Sequence, residues 1–133
     1  MIQSAEEFIR LRSSEDPDEQ RRASAASASL EVWRDIVDRH PEARFWVAQN
    51  KTVPLEILRT LATDPDPKVR SMVAMKRKVT PDILADLAGD PNESVRLTVA
   101  RHRLAPRSVL ERLLFDSWAE IREVARDRIE NEA

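Results

Sequence analysis

The chain has 133 residues, 41% of them apolar and 35% charged, which is enough to bury one core and too apolar for a disordered tail. The absence of cysteine excludes disulfides, thiolate metal sites, iron–sulfur clusters and a thiol nucleophile, and one glycine with no tyrosine leaves β-hairpins little to turn on. The net charge of −2 gives no general pull toward nucleic acid and is unevenly spread: residues 1–43 carry 6 basic and 10 acidic side chains, residues 44–133 carry 16 and 14.

The opening MIQSAEEFIRLR becomes charged at once, and no apolar run approaches membrane-span length, so a cytoplasmic protein with no membrane partner is expected. Ser4 and Glu7 have the spacing of a capping box, which predicts a starting cap helix within 1–15 carrying Phe8, Ile9 and Leu11. Residues 16–37 read as a shortened repeat in which SLEVWRDIVD aligns with PLEILRTLAT, and the Ala/Ser run at 23–29 reads as a weak helix rather than a linker. Full repeats follow at 38–63, 64–89 and 90–115. A half-repeat at 116–133 supplies a lone helix with Ile121, Val124, Ala125 and Ile129.

The step is 26 residues. It separates Arg44, Arg70, Arg96 and Arg122, and likewise Val47, Val73 and Val99, Leu58, Leu84 and Leu110, and Leu61, Leu87 and Leu113. Each unit reads as two short helices. In the unit from Asp64, Val69, Met72 and Val73 form one stripe at i, i+3 and i+4. Thr80-Pro81 opens a second helix, whose stripe is Ile83, Leu84 and Leu87, and Gly89 is expected to close it in a left-handed conformation. Such units stack into an all-α solenoid forming a single domain over 1–133, capped at both ends because its core is otherwise open.

An Asp stands six residues before an Arg in every unit: Asp16/Arg22, Asp38/Arg44, Asp64/Arg70, Asp90/Arg96 and Asp116/Arg122. With the Asp in the inter-unit turn and the Arg early in the first helix, stacking is expected to align them into a structural ladder of charge-assisted hydrogen bonds. Repeat alignment assigns Trp33 and Trp46 to the core, with Leu58 and Met72, and puts Phe45 partly on the surface. Trp118 occupies the turn slot of Asp66 and Asn92, either capping the end of the core or offering an aromatic anchor to a partner.

These residues resemble the HEAT-like α-solenoids, and within them the leucine-rich-repeat-variant group, over about residues 16–128. The resemblance rests on VRSMVA at 69–74 and VRLTVA at 95–100, the Thr/Ala-Pro start of the second helix and the Asp–Arg spacing. It implies a right-handed solenoid of short helix pairs used as a binding scaffold. Some leucine-rich-repeat-variant proteins carry a cysteine-bound iron–sulfur module, for which this chain has no cysteine. A HEAT-like family of DNA glycosylases also exists, with longer chains and a large basic concave face, which makes a glycosylase-like enzyme a distant alternative.

Catalytic parts are sparse. His40 and His102 lack metal-ligand spacing and read as solvated surface residues, no phosphate-binding glycine loop is available, and Ser24, Ser27 and Ser29 have no nearby base. No enzyme, cofactor, metal or small-molecule substrate is expected. The clearest functional lead is charge. The segments between first and second helices hold Lys51, Lys76, Arg77, Lys78, Arg101, Arg103, Arg107, Arg126 and Arg128, opposed only by Asp127. Bases there complement helix dipoles, yet KRK and RHR exceed that need. The candidate binding residues are therefore Lys51, Lys76, Arg77, Lys78, Arg101, His102, Arg103, Arg107 and Trp118. The second-helix face is mixed in charge (Glu31, Arg34, Asp35, Glu56, Arg59), which favours a protein partner there. The runner-up is weak, sequence-independent nucleic-acid binding through the basic edge.

Overall fold

A computed structural model describes residues 1–132. Among them every regular element is helical, and the one β feature is an isolated parallel bridge between Ile2 and Ala28. No helix among the described residues is long and apolar enough to cross a membrane. The chain gathers into two compact units, Met1–Thr63 and Asp64–Ala133.

The first unit holds α1 (Ala5–Ser13), α2 (Pro17–Ala25), α3 (Leu30–Arg39), a 3-10 turn (Pro41–Ala43), α4 (Arg44–Gln49) and α5 (Leu55–Leu61). Side-chain oxygens start its first three helices: Ser4 accepts from the Glu7 N–H, Asp16 from Asp18 and Ser29 from Val32. The capping box is only half made, because the Glu7 carboxylate instead takes Arg22 at 3.0 Å. The core gathers Ile2, Phe8, Leu11, Trp33, Ile36, Val47, Ile57 and Leu58, all essentially without solvent contact, with Phe8 edge-on to Trp33 at 5.6 Å. Trp46 departs from the core position expected of it. It is half-buried, edge-on to Phe45, and the Arg12 guanidinium lies 3.5 Å from its ring centre.

The Ala/Ser run does not continue as helix. α2 ends at Ala25, and the following residues extend to pair with the N-terminus, Ile2 N–H donating to the Ser27 carbonyl at 2.7 Å. Short side chains there let the chain run close to buried Ile2. Asp38 lies on α3, not in a turn, because that helix continues to Arg39.

The second unit holds α6 (Pro67–Met75), α7 (Pro81–Leu87), α8 (Glu93–Arg101), α9 (Arg107–Leu113) and α10 (Ala119–Asn131). α8 packs against both α6 and α10, and α9 against α10. Val69, Val73, Ile83, Leu84, Leu87, Val95, Val99, Leu110, Leu113 and Ile121 form its core. Gly89 does not adopt the left-handed conformation expected of it. Its missing side chain makes room instead: a Cβ there would sit 2.5 Å from Arg112 Nη2, while Arg112 Nη1 donates to the Ala85 carbonyl at 3.0 Å near the end of α7.

Candidate functional site

Two rows of hydrogen bonds build the framework of the second unit, and they decide which polar residues remain for a partner. In the first row, Arg70 Nη1 donates to the Asp64 carbonyl at 2.7 Å, while Nε and Nη2 grip the Asp90 carboxylate at 2.7 and 3.1 Å. Arg96 repeats this with the Asp90 carbonyl (2.7 Å) and the Asp116 carboxylate (2.8 and 3.3 Å). Each Asp carboxylate also accepts the backbone N–H two residues on, Asp66, Asn92 or Trp118. An arginine thus holds its own turn through a carbonyl and the following turn through a bidentate ion pair. Among the described residues Arg122 makes only the carbonyl half, to Asp116 at 2.7 Å.

The first unit shows further contacts of these pairs. Arg22 pairs with Glu7, Asp16 caps the Asp18 N–H, and Arg44 Nε donates to the Val37 carbonyl at 2.8 Å.

The second row was not read from the sequence. His102, expected to be solvated, is buried; its Nε2 donates to the Lys76 carbonyl at 2.8 Å and its Nδ1 accepts from the Leu104 N–H at 3.0 Å. Asn50 does the same in the first unit. Fully buried, it donates from Nδ2 to the carbonyls of Ala23 (2.8 Å) and Ala26 (3.1 Å), and Oδ1 accepts from the Thr52 N–H at 2.7 Å. Arg128 Nη1 donates to the carbonyls of Ala100 (2.8 Å) and His102. The signal was present as an N–H donor at 50, 76, 102 and 128, in Asn, Lys, His and Arg. His40 is part-exposed: its Nδ1 lies 3.2 Å from Glu42, and only its Nε2 is buried, with no partner among the described residues.

Against that framework a groove of about 450 Å³ opens along α6 and α8. Ala74, Met75 and Arg77 line one side, and Thr98, Arg101, His102, Arg103 and Leu104 the other. Met75 is 61% and Leu104 49% exposed, so apolar surface faces the opening. Arg101 pairs with Glu120 at 3.1 Å across an exposed surface. Among the described residues, Arg77 and Arg103 have no acidic partner. Each follows the C-cap of its helix, Lys76 for α6 and His102 for α8. Burial, and then the charge of Lys78, lower the pKa of Lys76 below the ordinary lysine value, and burial does the same to Lys78.

Of the candidate binding residues, the groove brings together Arg77, Arg101, His102 and Arg103, with His102 committed to the framework. Lys76, Lys78, Arg107 and Trp118 lie outside its lining, and Lys51 belongs to the first unit. Arg107 pairs with Glu111 at 2.9 Å. Trp118, at the N-cap of α10, is half exposed, and nearby Phe115 is 88% exposed. Phe115, Met75 and Leu104 were not singled out by repeat position, since each fills a slot that is polar in another unit. Among the described residues, no three His, Asp or Glu side chains gather as a metal site. Comparison with protein-family models, curated proteins and solved structures gives no match for this chain.

Proposed function

We propose that the chain is a non-enzymatic helical-repeat module, a HEAT-like solenoid of short helix pairs of the leucine-rich-repeat-variant kind, that binds a protein partner along its inter-helix edge. The repeat is supported by helix bounds: α5, α7 and α9 start at Leu55, Pro81 and Arg107 and end at Leu61, Leu87 and Leu113, 26 residues apart each time. The observation that carries the binding reading is the groove itself, where Met75 and Leu104 lie with Arg77 and Arg103, which have no acidic partner among the described residues. Apolar surface with guanidinium groups is the composition of protein interfaces, where arginine and methionine are enriched. The second-helix face favoured by charge pattern is a weaker candidate, because Arg34 and Glu56 pair at 3.2 Å as Arg107 and Glu111 do.

The second reading, a nucleic-acid backbone on the same edge, is favoured by the unpaired Arg77 and Arg103. A photo-crosslinking residue at Met75 tests the two. It is expected to capture a protein from nuclease-treated host extract, where the same residue at exposed Glu31 captures none. Labelled duplex DNA and RNA are expected not to bind at physiological salt. Nucleic-acid binding that survives that salt and is lost in Arg77→Glu would replace the protein reading.

A further inference from the structure

From the groove along α6 and α8 we infer that its occupant is an acidic segment in polyproline-II conformation, with a carboxylate at every third residue and an apolar side chain between. This rests on the protein-binding reading above and names the chemistry of that partner.

Three observations converge on it. Arg77 and Arg103 occupy equivalent places, each directly after the C-cap of a helix, and α6 and α8 pack side by side. Packed helices lie about 8–10 Å apart, so the equivalent backbone positions that carry these two arginines recur at about that step. Neither has an acidic partner among the described residues, whereas neighbouring Arg101 is already paired with Glu120. The groove therefore presents two uncommitted cations in register. Met75 and Leu104, one from each side, present apolar surface.

Backbone geometry then selects the ligand. A polyproline-II segment turns every three residues with a rise of about 3.1 Å each, so side chains on one face recur at about 9 Å. A β-strand repeats a face at about 6.6 Å, short of that step, and an α-helix returns to a face near it only at the seventh residue, about 10.5 Å on. The groove is lined by side chains and lacks a sheet edge to pair a strand, so a conformer without internal hydrogen bonds, whose backbone stays solvated, suits it. Its stiffness also lowers the ordering cost of binding.

The test is fluorescence anisotropy with the full chain and three labelled twelve-residue peptides. The first repeats Glu-Pro-Leu four times, the second has the same composition with its Glu residues in one block, and the third replaces Glu by Lys. The first is expected to bind at least about five-fold more tightly than the second, and the third not at all. Arg77→Gln and Arg103→Gln are each expected to weaken the first by about three- to five-fold, the upper part of the range of exposed charge pairs, while Arg34→Gln leaves it unchanged. Equal binding of the first two peptides would overturn the inference, since only net charge would then be read. Failure of the first peptide to bind would also overturn it. If crosslinking at Met75 still captures a protein in that case, the scaffold reading survives without this occupant. If nuclease treatment abolishes capture, both fall together.

Discussion

Arg70 and His102 show what residue spacing conveys and what it hides. In the second unit the pairing of Asp with an Arg six residues on marks a real contact, but the atom is the Asp backbone carbonyl. The carboxylate that meets Arg70 belongs to Asp90, twenty residues on. Spacing alone does not tell a carbonyl oxygen from a carboxylate. Asp90→Ala is expected to cost about 3 kcal/mol, because it leaves Arg70, whose side chain is 13% exposed, without its ion pair. Asp86→Ala, at an exposed position of α7, is expected to stay within about 0.5 kcal/mol. Equal denaturant midpoints for the two variants would contradict the ladder. His102 was misread because its neighbours Arg101 and Arg103 are exposed; its equivalence to buried Asn50 was the better guide. His102→Asn should therefore keep both hydrogen bonds and lose less than half of what His102→Ala loses, about 1–3 kcal/mol, by urea unfolding.

At the scale of elements, apolar periodicity located the paired helices of the second unit well, because each buries a short stripe and is stopped by polar or proline signals. It failed where backbone pairing rather than side-chain burial decides the conformation. Residues 26–29 have helix-compatible side chains, yet the Ile2 amide engages the Ser27 carbonyl and holds the segment extended. The groove was only half legible: its cations stand out by charge, but Met75 and Leu104 look like stray apolar residues until α6 and α8 lie together. Ion pairs between and within helices of the first unit make a separate claim. Arg39 holds the Glu6 and Asp35 carboxyls below their ordinary pKa values, chiefly through hydrogen bonds, and Arg10 followed by Ser14 does so for Glu19. A carboxyl whose pKa is lower folded than unfolded stabilises above the ordinary carboxylate range and loses that contribution as pH falls through the folded value. All three side chains keep 33% or more of their surface in solvent, so the effect on stability is small. Carboxyl carbon shifts followed by NMR titration are expected to place their midpoints below the ordinary glutamate and aspartate values, and ordinary midpoints would contradict these pairs.

For the molecule as a whole, the structure separates two kinds of cation that composition cannot. Arg70, Arg96, Arg122 and Arg128 are bonded into the framework, whereas Arg77 and Arg103 line a groove together with Arg101. Helix dipoles favour any base at a C-terminus by about 0.3–1 kcal/mol, so a structural role for the pair remains the competing explanation. Clustered like charges repel, and a surface kept for a partner commonly costs stability. A thermal melt of the double variant Arg77→Gln/Arg103→Gln at low salt separates the two. A melting temperature equal to or a few degrees above the parent is expected if the arginines are held for a partner. A fall of about 5 °C or more, the scale of losing both dipole contributions, would show that they belong to the fold and contradict the groove as a binding site.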